Sequence, residues 1–264
     1  MSINAVFFDL DDTLLWDDRS VLEAFESTCK RAAEVTGVDH VQLEAAVRGE
    51  ARSLYESYET YPFTTKIGIN PFEGLWANFT AGEQPEFRQL EQIVKGYRKD
   101  AWHRGLEKMG VNDSDLAFEL SEHFASKRRA LPYIYEETFQ ILKELQGNVK
   151  LLLLTNGCPA LQQEKLDGVP ELAPYFDKIV ISGSFGIGKP DVSIFNHALS
   201  LLDVTNDQVL MVGDKLTTDI RGGLAAGIKT VWINRTNKPA DPNIIPDFEI
   251  QHLSQLHDII ASFA

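Results

Sequence analysis

Val6-Phe7-Phe8-Asp9-Leu10-Asp11-Asp12-Thr13 is an apolar run that stops abruptly in three carboxylates and a threonine. It is short, β-branched and aromatic, with no helical period, so residues 3–9 read as a buried strand. Three later segments repeat this design. Leu151-Leu152-Leu153-Leu154 runs into Thr155-Asn156-Gly157, and Lys178-Ile179-Val180-Ile181-Ser182 is followed by Gly186-Ile187-Gly188-Lys189-Pro190-Asp191. Val209-Leu210-Met211-Val212 ends in Gly213-Asp214, with Asp219 shortly behind. In an open α/β sheet, ligands bind in the crevice outside the carboxyl ends of the strands. Strand ends that deliver carboxylates, hydroxyls and one lysine to such a crevice describe a metal-assisted phosphate site.

Working outward, the chain alternates between two rhythms. From residue 132 onward helices and strands take turns: helices over 136–145, 161–166, 193–202 and 218–226 precede the strands 149–154, 178–182, 208–212 and 230–233. A weak strand at 248–250 and a helix over 253–263 follow. This alternation implies right-handed crossovers and a doubly wound parallel sheet with helices on both faces. Residues 19–131 carry no strand signal. Helices are predicted there over 20–35, 41–58, 86–109 and 115–130, with Asn112-Asp113-Ser114 as an N-cap and an irregular stretch over 61–85. The chain therefore divides into an α/β core, residues 1–18 and 132–264, and an inserted all-helical domain, residues 19–131. Because the insertion leaves the core close to Asp9, it is expected to sit over the crevice as a cap.

The 264 residues are 44% hydrophobic and 24% charged, an ordinary composition for a globular protein. A formal net charge of −14 argues against nucleic acid or an anionic membrane as the main partner. An acidic chain can still bind phosphate, since a bound divalent cation reverses the local charge. No stretch reaches the roughly 18 consecutive apolar residues of a membrane helix, and Met1-Ser2-Ile3-Asn4 leads into a strand without a signal-peptide pattern. Cys29 and Cys158 are read as reduced and buried, and the protein as cytoplasmic. The six histidines form no metal-like cluster, and Trp16, Trp76, Tyr97 and Trp102 read as packing groups.

Taken alone, Asp9-x-Asp11 after a strand is equally an acidic turn. Thr13 and the segments that follow in order decide the matter. Ala5-Val6-Phe7-Phe8-Asp9-Leu10-Asp11-Asp12-Thr13-Leu14 resembles the first motif of the haloacid dehalogenase-like hydrolase superfamily, and Leu154-Thr155-Asn156-Gly157, Lys189-Pro190 and Gly213-Asp214 with Asp219 resemble its other three. The resemblance covers residues 3–18 and 132–235 and fades in the insertion, which looks like the helical cap of the branch containing pyrimidine 5′-nucleotidases and N-acylneuraminate 9-phosphatases.

That resemblance implies a Rossmann-like core and a Mg²⁺-dependent phosphatase. A carboxylate can attack phosphorus and split hydrolysis into two easier steps, which suits Asp9 as nucleophile. Asp11 would protonate the leaving alcohol and then activate water. By resemblance, Mg²⁺ is held by the carboxylates of Asp9 and Asp214 and the backbone carbonyl of Asp11. Thr155, Asn156 and Lys189 bind phosphate, Lys189 as a point charge. Thr13 and Asp219 are supporting residues, Asp219 holding Lys189 rather than the metal. The expected substrate is a small soluble phosphomonoester, a nucleotide or sugar phosphate. Other readings are a phosphomutase, a 2-haloacid dehalogenase, or a non-catalytic binding protein on the same fold. Retention of Asp11 weighs against the dehalogenase, because halide leaves without a proton. Retention of Asp9, Asp11 and Asp214 together weighs against the binding protein.

Overall fold

The computed structural model describes residues 2–263. Its elements pack into two units, one of residues 2–16, 134–157 and 169–263, the other of residues 17–133 and 158–168.

The first unit is built on six parallel strands: β1 (Ala5–Phe8), β2 (Lys150–Thr155), β3 (Lys178–Ile181), β4 (Val209–Gly213), β5 (Lys229–Ile233) and β6 (Phe248–Ile250). Their order across the sheet is β3-β2-β1-β4-β5-β6, the doubly wound topology that the strand–helix alternation predicts. β1 lies in the middle, paired to β2 on one side and β4 on the other, so the strand order reverses between β1 and β4. Register then does the positioning. Phe8 is level with Leu153 of β2 and Val212 of β4, so Asp9, Thr155 and Asp214 leave the sheet at one edge. The central strands are wholly buried, which is why they read as continuous apolar runs without alternation. One sheet face (Phe7, Leu152, Leu154, Met211) packs on Ile194, Phe195, Ala198 and Leu202 of the helix Val192–Leu202.

The second unit is helical, with no strand among its described residues. Its long helices are Asp17–Thr36, His40–Ser57, Pro85–Lys108 and Ser114–Ala130. Asp39 and Asp113 cap the second and fourth by accepting from backbone N–H groups of Gln42 and Leu116 at 2.8 and 2.9 Å. Buried Ala24, Phe25, Thr28, Cys29 and Ala32 recur at helical spacing on the first, and meet Phe124 and Trp102 in an aromatic cluster.

Two expectations need correction. Residues 61–85 are not simply irregular: they contain the short helices Tyr61–Ile67 and Pro71–Gly74. Pro62 and Pro71 stand in the first turns of these helices, where the missing N–H costs nothing. Asn70 and Glu73 close a reciprocal capping box around the second. The helix Pro159–Asp167, placed in the core by its position in sequence, packs instead with the helical unit. Cys158 and Leu161 belong to that unit's apolar core beside Trp76 and Phe79, and Lys165 pairs with Glu73 at 3.2 Å. Both cysteines are free and buried. No helix among the described residues is long and apolar enough to cross a membrane.

Candidate active site

The site lies within the sheet unit, at the carboxyl ends of β1, β2, β3 and β4. Asp9 directly follows β1, and its N–H donates to the Val212 carbonyl of β4 at 2.9 Å, which carries the sheet one residue beyond the strand and fixes the carboxylate's origin. The backbone then turns sharply. Leu14 and Leu15 both donate to the Leu10 carbonyl, and Asp12 takes a positive φ of 59° in the left-handed region that Asp tolerates. Asp11 sits half-buried within this turn.

Lys189 is the hub. Its ammonium is 2.6 Å from Asp9 Oδ1 and 2.7 Å from Asp219 Oδ1, and donates to the Leu154 carbonyl at 2.6 Å. Two hydrogen bonds, to Asp9 and the Leu154 carbonyl, and the ion pair to Asp219 together hold the charge in one place. Burial alone would lower the Lys189 pKa, but Asp219 and Asp9 outweigh it and hold the ammonium above its ordinary value. The Lys189 backbone is equally restrained. The Asn156 side chain accepts from its N–H at 2.8 Å and donates to its carbonyl at 2.9 Å. Gly188 makes room for this amide clamp, since a Cβ there would lie 2.7 Å from Asn156 Oδ1. Thr155 is buried at the end of β2, with its hydroxyl 3.4 Å from the Asn156 carbonyl. Gly157 N–H donates to the Ser182 hydroxyl at 2.9 Å, tying the loop to the end of β3.

Asp214 follows β4. Oxygens of Asp9, Asp214 and Asp219 all lie within 4.8 Å of one another. Burial, with the negative charges of Asp219 and Asp9 added, pushes the Asp214 carboxyl up to about 7. Burial also lifts Asp9 above the usual carboxylate range, opposed by Lys189 and assisted by Asp219. Hard oxygen donors whose mutual repulsion is this strong suit a divalent cation such as Mg²⁺. Asp219 is already engaged, with Oδ1 on Lys189 and Oδ2 accepting from Lys215 N–H at 3.0 Å. It reaches this place from one wide turn, Leu216–Ile220, ahead of the helix Arg221–Ala225, where a regular helix over 218–226 is predicted. Gly213 permits the approach: a Cβ there would stand 2.4 Å from the Asp219 carboxylate.

The structure thus brings Asp9, Lys189, Asp214 and Asp219 into direct contact or close range, and ranges Asp11, Thr155 and Asn156 along the same edge. Thr13 is fully buried, and its hydroxyl accepts from Asp214 N–H at 3.1 Å. Four participants escaped the sequence reading. The Leu154 carbonyl is invisible to side-chain motifs, and Trp232, whose indole donates to the Asp214 carbonyl at 2.8 Å, reads as an ordinary strand aromatic. Lys238, 3.4 Å from Asp214 Oδ2, and Arg235, bonded to the Thr13 carbonyl at 3.0 Å, lie past the last motif.

The chain resembles known proteins along most of its length. A family model described as haloacid dehalogenase-like hydrolase matches residues 3–227. The chain is 36% identical to the phosphoserine phosphatase of Thermus thermophilus over 255 residues, which cover 95% of this chain and 96% of that one. It is 35% identical to the N-acylneuraminate-9-phosphatase of Mus musculus, covering 98% and 94%. Among solved structures, the magnesium-bound HAD-hydrolase YfnB of Bacillus subtilis superposes with a TM-score of 0.68 at 22% identity, covering 98% of this chain and 99% of that one.

Proposed function

Because this chain belongs to the haloacid dehalogenase-like hydrolase family, we propose that it is a Mg²⁺-dependent phosphatase that cleaves a small soluble phosphomonoester through an aspartyl-phosphate on Asp9. The observation that carries this reading is the Asp9 carboxylate, held 2.6 Å from a buried ammonium beside a second carboxylate at the switch point of a parallel sheet. Lys189 restrains the nucleophile and supplies a fixed positive charge for the transferring phosphoryl oxygens. Thr155 contributes its hydroxyl and Asn156 its backbone N–H to the same oxygens, while the Asn156 side chain stays on the Lys189 backbone. Asp11, two residues past the nucleophile, protonates the departing alcohol and then takes a proton from the attacking water.

The donor set fits Mg²⁺, and Asp9, Asp214 and the Asp11 carbonyl are the groups that would hold it. When bound, Mg²⁺ neutralises charge on the phosphate and on the crowded carboxylates. The helical unit, inserted in sequence between β1 and β2, is assigned the choice of ester. The relatives' names support a phosphorylated small metabolite, with phosphoserine and sugar phosphates first in a screen beside nucleotides.

Asp9→Asn removes the nucleophilic charge and leaves the shape of the side chain. The expected outcome is a folded protein whose phosphate release, assayed on para-nitrophenyl phosphate with Mg²⁺, falls to background. Retained turnover in that variant rules out the covalent route. A wild-type protein that releases halide from a 2-haloacid, and no phosphate from any ester, rules out the phosphatase.

A further inference from the structure

Beyond the phosphate and metal residues, the end of β5 leads back into the site through Arg235. We infer that Arg235 is a positioning residue that sets the place of Asp214 through Thr13, an inference that rests on Asp214 holding the metal. The Arg235 side chain is 14% exposed and makes two directed bonds. One guanidinium nitrogen donates to Glu137 Oε1 at 2.6 Å, and the other to the Thr13 carbonyl at 3.0 Å. The guanidinium carbon lies 3.5 Å from the centre of the Tyr135 ring, which stacks on Trp16 at 5.3 Å with 18° between the planes. An arginine so placed has its fork aimed by packing as well as by charge.

Its partner is committed to it. Burial works to raise the Glu137 carboxyl, but the Arg235 guanidinium and the N–H groups of Glu137 itself and Leu253 hold it below the usual range. Glu137 is therefore a fixed anion against which Arg235 is oriented, leaving the second arm for Thr13.

From Thr13 the chain of contacts is short. The Thr13 hydroxyl accepts from Asp214 N–H at 3.1 Å, and the Asp214 carbonyl accepts from the Trp232 indole at 2.8 Å. The peptide groups on both sides of the Asp214 α-carbon are thus clamped. Both clamps lead to the same end of β5, one through Trp232 directly and the other through Thr13 to Arg235. A guanidinium that served only to neutralise Glu137 would not need to reach a main-chain carbonyl of the nucleophile's turn. Lysine can keep the ion pair but cannot span both acceptors.

The test compares wild type, Arg235→Lys, Arg235→Ala, Thr13→Val and the Arg235→Lys/Thr13→Val double variant. Readouts are Mg²⁺ dissociation constants by titration calorimetry on chelator-stripped protein, melting temperatures, and kcat and KM for para-nitrophenyl phosphate. Arg235→Lys is expected to melt close to wild type while its Mg²⁺ affinity falls about 10–100-fold, the usual cost of losing a partner that orients a metal ligand. KM for the ester at saturating Mg²⁺ should move little. In the Thr13→Val background the same change should have almost no further effect on Mg²⁺ binding, because the link is already cut. A folded Arg235→Lys protein with wild-type Mg²⁺ affinity and kcat overturns the inference while the phosphatase reading stands. Additive losses in the double variant also overturn it. A wild-type protein that releases phosphate yet neither binds nor needs Mg²⁺ overturns the metal reading and this inference together. If Arg235→Ala does not fold, Arg235→Lys and Thr13→Val decide the question alone.

Discussion

At the scale of single residues, the electrostatics of Asp214 dominates. A carboxyl near 3.8 in the unfolded chain and pushed up to about 7 by burial and two neighbouring carboxylates binds its proton more tightly in the fold. Between those values the native state holds more protons than the unfolded one, so the stability of metal-free protein falls as pH rises through that interval. A divalent cation needs the deprotonated form, so its binding strengthens over the same range. The melting-temperature increment caused by Mg²⁺ is therefore expected to grow from about pH 5 to about pH 8 and then level off. Thermal melts with Mg²⁺ or with chelator across that range check this, and an increment independent of pH contradicts it. The lysine in the cluster does not titrate here: the carboxylates of Asp219 and Asp9 hold its ammonium above its ordinary value, and it stays charged throughout this window.

At the scale of elements, the site depends on loops that are rigid because they hold one another. The turn after β2 and the segment after β3 are joined by the Asn156 amide, which satisfies both polar groups of the Lys189 backbone. Removing it leaves a buried carbonyl and N–H without those partners, a cost of about 1–3 kcal/mol. Asn156→Ala should therefore lower stability by about that amount in urea unfolding. Its kcat should fall at least about tenfold, since an ångström of drift in a charged group is catalytically expensive. A loss of stability without a loss of turnover would show that the clamp serves folding alone. The wide turn at Leu216–Ile220 works in the same way, trading helical regularity for the approach of Asp219 to Lys189.

At the scale of the whole molecule, two units with separate cores share one chain, and the chain passes between them more often than a simple insertion would require. The helix Pro159–Asp167 begins one residue after the phosphate loop, yet its apolar side belongs to the helical core. Lys165 anchors it, with side-chain exposure of 4% against 7% for its partner Glu73, and lies 3.8 Å from Asp17. Lys165→Met removes the buried cation that lies against both Glu73 and Asp17, so it should destabilise by about 3–5 kcal/mol. Adding Glu73→Gln should recover part of that loss. Chemical denaturation of the single and double variants measures it, and full additivity would show that the two charges are independent.

The sequence by itself determined the parallel sheet, its strands to within one or two residues, and the residues at its carboxyl edge. Those strands are buried on both faces and end in polar turns, and both properties are written locally, as in Val6–Asp9 and Val209–Asp214. Helix caps were readable for the same reason, Asp113 being one, whereas the capping box Asn70-Pro71-Phe72-Glu73 lay in a stretch read as irregular. Only the tertiary structure decided the unit to which helix Pro159–Asp167 belongs, because its partners Glu73 and Asp17 lie far away in sequence and burial of a lysine has no local signature. It alone also revealed the roles of the Leu154 carbonyl, Trp232 and Arg235. A backbone acceptor, an indole on a strand and an arginine in a loop acquire their meaning from strand order, which sets β4 between β1 and β5 and so brings Thr13, Asp214 and Trp232 within hydrogen-bonding reach.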